Sequence, residues 1–475
     1  MGLGNDSPSF TGPALAHLRG EAVISLHHPP LLGWLIWAVA SVTGQDVVDA
    51  VRFIQLFATI ALIVGVWWQL RWALPNHPLA ADAAALLTAT CFPIVEHAGN
   101  VGSDQLGAAC AIWALGFLAR HLAGEAGWRW LSACLLTAAL AFLNRFAAFG
   151  LVLSVSTVLW LHRGRPFGRD FFTALGAGLV MVAPCVLFLL GNAAATGHAT
   201  TRQVVWTGIP WDRIDQSLAT LALWYLPSQV VHWPVGLGLL IAMAALFWIG
   251  RGWSRAAPKA RALIITLVGF GVSNLLFLVV TISLVEYGLA LDSRTLLPCV
   301  PVSITLGVLI AGLISTTTTV RRAAAFLVFL FFLGLNTHRA ASLIASYSVL
   351  GKHHLGVTVA QSILPDFVRA HPEATFITNN PPYFFNLTRT ACLAPPTEYS
   401  LLTNRRDPDF EAKIAALRAR LRDHMPAYLV VFDTIDDATR APAQRLMEGD
   451  RFERVLNDYF VSVYRFAPTR TAGSK

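Results

Sequence analysis

Charge is scarce in this chain: Asp, Glu, Lys and Arg make up 13% of its 475 residues, against about 25% in an ordinary soluble domain. That shortage excludes an enzyme that is soluble throughout. Cysteine is sparse as well. Of the 6 cysteines, Cys91, Cys110, Cys134, Cys185 and Cys299 sit inside apolar runs, Cys392 sits in polar sequence, and no Cys-x-x-Cys pair occurs. Neither a disulfide framework nor a zinc site is indicated. Also missing are the glycine-rich loops that cradle nucleotide phosphates. Met1 to Leu26 show no charged leader followed by an apolar core and a small-residue cleavage site, so no signal peptide is expected there. The net charge is +8 and the pI is near 9.4, but the basic residues are dispersed between apolar runs and form no stripe, so nucleic acid is not an expected partner.

What the chain has in abundance is apolar length. Apolar residues make up 55% of it and the mean hydropathy is +0.57. Stretches of roughly 15–25 apolar residues, enough to cross hydrocarbon, run at 48–70, 80–98, 105–119, 130–145, 147–161, 171–191, 233–250, 262–285, 295–315 and 323–342. The expected fold is a mainly α-helical polytopic membrane bundle of about ten spans. The shorter run 31–42 follows Pro29-Pro30 and suits a helix lying at the interface.

Basic residues set orientation, because short cytoplasmic loops carry their excess. One set of alternate loops holds Arg71; Arg120 and Arg129; Arg163, Arg165 and Arg169; Arg251, Arg255, Lys259 and Arg261; and Arg321 with Arg322. The opposite set holds Arg19, Arg202, Arg213 and Arg294. The first set is expected in the cytoplasm of a bacterial inner membrane. Residues 1–47, the 97–104 turn, the 192–232 loop, the 286–294 turn and the C-terminal tail then share the outer, periplasmic face. They bring most loop carboxylates with them. A transporter or lipid-carrier flippase, the alternative reading, would place ionisable residues at mid-depth and show related halves.

After about residue 345 the sequence turns polar. Residues 374–378 and 427–432 read as short buried strands, and 454–466 as a hairpin turning at Asn457-Asp458. Between them Asp407 suits an N-cap, Pro408 a first turn, and Ile414, Leu417 and Leu421 share one face of a helix over 408–423. The expected division is a membrane bundle over 1–345, with outer loop 1–47, and a small extracytoplasmic α/β domain over 346–475.

Five segments carry groups able to do chemistry. They are Asn5-Asp6-Ser7-Pro8, His27-His28-Pro29-Pro30, Ser103-Asp104 at the head of a span, Leu143-Asn144-Arg145-Phe146, and Asp292-Ser293-Arg294-Thr295-Leu296-Leu297-Pro298. Each has a plain structural reading. Asp6 suits a solvated terminus, Asp104 a helix N-cap, His27 and His28 caps of an interfacial helix, and Arg145 a residue that snorkels to the headgroups. In this order, over about residues 5–345, they resemble the GT-C class of polyprenyl-phosphate-sugar-dependent membrane glycosyltransferases, similar to protein O-mannosyltransferases and lipid A sugar transferases.

The resemblance implies an essential acid in the first outer loop, matched by Asp6, and a second acid opening a later span, matched by Asp104. It implies an arginine near the lipid phosphate, matched by Arg294. Asn5-Asp6 stands where many relatives have paired acids, which weakens a two-carboxylate metal site, and relatives carry a membrane helix ahead of the first loop where only five residues precede Asp6; either the start lies further upstream or that helix has been lost. The implied reaction is inverting transfer of a sugar from a polyprenyl-phosphate carrier to a hydroxyl of a lipid, glycan or protein, with no nucleotide cofactor. Asp6 would take the acceptor proton. Guanidinium groups, Arg294 first and Arg202 second, would hold the departing phosphate, and a divalent cation is a further candidate for that charge. His27 and His28 are candidates for the donor phosphate. Glu96 is close enough in sequence to reach the Asp104 pocket. Trp206, Trp211, Trp224 and Trp233 suit an interfacial belt or a sugar platform.

Overall fold

Backbone that leaves water must satisfy its own hydrogen bonds, and a helix does so within one segment. The computed structural model follows that rule. It describes residues 8–20, 28–125, 127–162, 168–200, 211–226, 256–285, 291–315, 319–350, 362–399, 406–423, 426–432, 443–448, 451–458 and 460–467, with single positions 204, 206, 208 and 253. The chain divides into one unit over Ser9–Ala345 and another that holds Ser346–Lys475.

The first unit is helical. Its elements are α1 (Pro8–Leu18), α2 (Leu31–Thr43), α3 (Val47–Ala73), α4 (Pro78–Thr90), α5 (Phe92–Ala98), α6 (Asp104–Leu122), α7 (Trp128–Asn144), α8 (Phe149–Leu161), α9 (Arg169–Thr196), α10 (Trp211–Tyr225), α11 (Pro258–Leu284) and α12 (Cys299–Ser315), and α13 (Thr319–Leu350) runs out of it. Among the described residues, 4 helices are long and apolar enough to cross a membrane, α3, α9, α11 and α13, and the bent pair α4 and α5 makes up to 5. Shorter apolar helices accompany them. The protein is multi-pass. The expected span at 233–250 lies outside the described residues.

Three expectations from the sequence are corrected. The run 80–98 is not one straight span: α4 and α5 meet at 54°. Pro93, in the first turn of α5, has no N–H to give and its ring would clash with the carbonyl four residues back, so the helix restarts. The run 295–315 becomes helical only at Cys299, because Asp292 ties the preceding amides into a turn. The 192–232 loop contains a helix, α10, with Asp212 in its first turn and Leu218, Leu221, Ala222 and Tyr225 at helical spacing. Its charges conceal it from a search for apolar runs.

Helix α6 lies at the centre, packed on α3, α7 and α11. Small residues let backbones approach there, which is how helices associate when lipid competes equally for apolar side chains. A Cβ on Gly150 of α8 would lie 2.7 Å from Asn274 Oδ1 and 3.0 Å from its Cα. Glycine is required at that crossing.

At the end of α6 a charged cluster closes the bundle. The Arg120 guanidinium lies 3.8 Å from the Trp68 ring centre and 4.9 Å from that of Trp72, a cation–π arrangement. Glu125 receives Arg120 at 3.1 Å, Lys259 at 2.7 Å and the Trp72 indole at 2.9 Å. Partial burial alone would raise the Glu125 pKa. The hydrogen bonds of Lys259 and Trp72, and the charges of Lys259 and Arg120, outweigh it and hold the carboxyl below its ordinary range.

The second unit carries helices α14 (Leu364–Arg369), α15 (Pro381–Thr388) and α16 (Phe410–Asp423) and a sheet of β1 (Thr375–Thr378), β2 (Ala427–Phe432), β3 (Arg451–Asn457) and β4 (Val461–Ala467). Strand order is β1-β2-β4-β3. β1 and β2 are parallel, with Ile377 opposite Leu429, and the other pairs are antiparallel. Phe376, Phe384, Val430, Phe432 and Val461 form its core.

Candidate active site

The centre of the site is the first residue of α6. Asp104 is expected to orient the acceptor or a bound metal, with an N-cap as its plain structural reading; Ser103 occupies the N-cap position and its side chain makes no cap bond. The Asp104 carboxylate, only 5% exposed, faces guanidinium groups instead. Arg294 donates from Nε to Oδ2 at 3.0 Å, and Arg145 pairs with Oδ1. These arginines come from segments far apart in sequence, and a guanidinium on each carboxylate oxygen makes the arrangement directional.

Three local devices aim the groups. The turn before α6 is pinned by Gln55 of α3, which donates to the Gly102 carbonyl at 2.5 Å, and by Asn144, which donates to the Ser103 carbonyl at 2.7 Å. Gly102 leaves room for the acid, since a Cβ there would lie 2.9 Å from Asp104 Oδ2. Arg145 follows α7 with extended backbone, φ −156 and ψ 128, before the short 3-10 turn Phe146–Ala148. The chain thus breaks where the guanidinium must turn inward. Asp292 Oδ1 accepts the amides of Arg294 at 3.1 Å and Thr295 at 3.0 Å, an Asx turn that fixes the arginine's backbone.

Beside Arg294, Ser293 reaches α5. Its hydroxyl lies 3.4 Å from Glu96 Oε2 and 3.3 Å from His97 Nε2. The structure therefore brings together Asp104, Arg294 and, through Ser293, Glu96. Arg145, expected to snorkel, joins them. His28 packs its ring on Phe10 of α1 at 4.8 Å between centres. Asp6, His27 and Arg202 lie outside the described residues.

An apolar cavity of about 820 Å³ lies among α4, α10, α12 and α13. One end is bounded by Cys91, where α5 begins, and by Val300 in the first turn of α12. The other is bounded by Asn76, His77, Gly312 and Arg322. It follows α12 for most of its length. Trp224, read from sequence as a belt or platform residue, is buried in its wall, whereas Trp206 and Trp211 are exposed. Trp233 lies outside the described residues.

Residues 27–189 match the family model described as dolichyl-phosphate-mannose-protein mannosyltransferase. The oligosaccharyltransferase of Archaeoglobus fulgidus, solved as a complex with zinc and sulfate, is similar at a TM-score of 0.55 and 13% identity, over 97% of this chain and 69% of its own. The structure of AglB from the same organism, with an inhibitory peptide and a dolichol-phosphate, gives 0.55 and 11%, over 100% and 71%. The chain has the GT-C fold. ArnT from Cupriavidus metallidurans, in the apo state, gives 0.48 and 14%, over 97% of this chain and 92% of its own. No curated protein matches the chain by sequence. Within the GT-C fold, the stretch matched by the family model contains Glu96, Asp104 and Arg145, and Arg294 lies beyond it.

Both oxygens of Asp104 are engaged by guanidinium groups, and no group of three or more His, Cys, Asp or Glu side chains converges among the described residues. These donors do not fit a divalent ion.

Proposed function

We propose that the protein is an inverting glycosyltransferase that moves a sugar from a polyprenyl-phosphate carrier to a hydroxyl acceptor on the periplasmic face of a bacterial inner membrane. The observation that carries this reading is one buried carboxylate aiming two arginines, from separate segments, beside a lipid-sized apolar cavity. Arginine pairs suit an oxyanion that gains charge in the transition state, because a preorganised guanidinium needs no reorganisation at the moment of reaction. The cavity suits an isoprenoid tail, with the donor's phosphate at the Cys91 and Val300 end, toward the turn that carries Arg294. AglB was solved with dolichol-phosphate, which fits the same donor class.

In this reading the acceptor oxygen attacks the anomeric carbon as its proton passes to Asp6. The bond from that carbon to the phosphate oxygen breaks, and the electron pair stays on the phosphate. Arg294 and Arg145 hold the new charge, and Arg202, His27 and His28 are further candidates for the same phosphate. Asp104 acts through the two arginines. Glu96 steadies the turn that carries Arg294. The membrane bundle, residues 1–345, carries the reaction, and residues 346–475 form a separate extracytoplasmic domain.

The test is reconstitution of the full chain in liposomes with a polyprenyl-phosphate sugar and a hydroxyl acceptor. Wild-type protein should form glycoside, and Arg294→Ala should lose it while remaining in the membrane. Movement of the carrier between leaflets with no glycoside formed would make the protein a flippase and overturn the proposal.

A further inference from the structure

We infer that His97 is a positioning residue that sets the aim of Arg294 on the donor phosphate; this rests on the reading above. His97 is the residue before the last of α5 and is 5% exposed. Its Nε2 lies 3.3 Å from Ser293 Oγ, and its Nδ1 lies 3.5 Å from the Asn100 amide nitrogen. Ser293 Oγ lies 3.4 Å from Glu96 Oε2.

The donor and acceptor inventory orders this chain. An ionised carboxylate only accepts, so the Ser293 hydroxyl proton goes to Glu96. The oxygen of Ser293 is then left to accept, and Nε2–H of His97 supplies the proton. The Asn100 amide nitrogen only donates, which makes Nδ1 the acceptor. One neutral tautomer gives each ring nitrogen a partner, which is what selects a tautomer, and Glu96 Oε2 lies 4.0 Å from the same Nε2.

The consequence falls on the next residue in the chain. An arginine has a long side chain with several rotors, and it recognises a phosphate only when its backbone and guanidinium are both held. Asp292 holds the amides of Arg294 and Thr295, and Asp104 holds the guanidinium. Without His97, the Ser293 hydroxyl would keep its bond to Glu96 as a tie between the Arg294 turn and α5 among the described residues. Sequence reading passed over His97 because a histidine inside an apolar run resembles a core residue. Its neighbours Glu96 and Asn100 are the signal that separates it.

The experiment uses the purified full chain in detergent and measures Kd for undecaprenyl phosphate, with thermal unfolding as a check of folding. His97→Ala should weaken binding by about tenfold, the scale of one lost hydrogen bond. Ser293→Ala should do the same, and the double variant should be no worse than the weaker single, because both changes remove one chain of bonds. His97→Gln, whose amide N–H replaces Nε2–H, should restore most of the affinity. If His97→Ala fails to fold, Ser293→Ala is compared with Glu96→Gln, because Ser293→Ala also removes the bond to Glu96; a loss no larger than that of Glu96→Gln overturns the inference. Unchanged affinity in folded His97→Ala or Ser293→Ala, or penalties that multiply in the double variant, would overturn the inference and leave the glycosyltransferase reading intact. A folded wild type that does not bind undecaprenyl phosphate would overturn both.

Discussion

Asp104 shows how a residue of ordinary type acquires a special role from its surroundings. A carboxylate at a helix start is favourable in any protein, and the sequence alone cannot distinguish that use from another. The distinction lies with Arg145 and Arg294, which arrive from the ends of other helices. Asp104→Asn removes the anion between two guanidinium groups and lowers stability by less than the about 3–5 kcal/mol of a fully buried pair, because the Arg294 side chain is 36% exposed. Transfer should fall by about 10²–10³, the scale of one lost electrostatic stabiliser, as measured by the initial rate of glycoside formation. Arg145→Lys keeps the charge but loses the planar fork, so an intermediate loss of rate is expected in the same assay. Asp104 and Arg294 stand out in the sequence because their residue types and order match a known pattern, and Glu96 only because it shortly precedes the Asp104 turn. Arg145 does not: an arginine ending an apolar run has an innocent explanation, and only the extended backbone after Asn144 turns it inward.

At the scale of elements, breaks in helices do the positioning. The 54° bend between α4 and α5 places Glu96 and His97 on a short helix that faces the Arg294 turn. Pro93→Ala restores an amide donor and lets α4 continue, so those side chains should swing away. The expected outcome is loss of transfer with membrane insertion retained, seen by comparing activity with the amount of protein in isolated membranes. The cluster at the far end of α6 is a stability element. Because the folded-state pKa of Glu125 lies below its ordinary value of 4.5, its contribution is whole above that pH and is lost as pH falls through the folded pKa. Thermal unfolding of wild type should therefore destabilise on acidification below about 4.5 through this group, and Glu125→Gln should lack that component. The variant should also be less stable at neutral pH by about 1–3 kcal/mol. Long helices were legible from apolar length. The bend, the late start of α12 and the amphipathic α10 were not, because they depend on proline sterics, an Asx turn and helical periodicity among charges.

For the whole molecule, the dispersal of arginines predicts which loops face the cytoplasm. In intact spheroplasts, protease added from outside should cleave residues 346–475 and spare the loop that holds Arg251 and Lys259; the opposite pattern would invert the topology. The strands of the C-terminal unit were legible because buried strands are short and apolar, and the hairpin turn lies where Asn457-Asp458 marked it. Its sheet has a consequence for acceptor choice. Peptides are often captured by adding a strand to an open sheet edge. Beyond β1, the Leu393 segment already takes that place, with its N–H 2.8 Å from the Phe376 carbonyl and its carbonyl 3.0 Å from the Thr378 amide. At the other margin β3 presents Arg451, Glu453 and Arg454 and a register shift before Leu456, features that discourage a neighbour from zipping on. An extended polypeptide therefore finds no open berth at either margin of these described strands, so strand addition to this sheet is not a route by which a protein acceptor would be held.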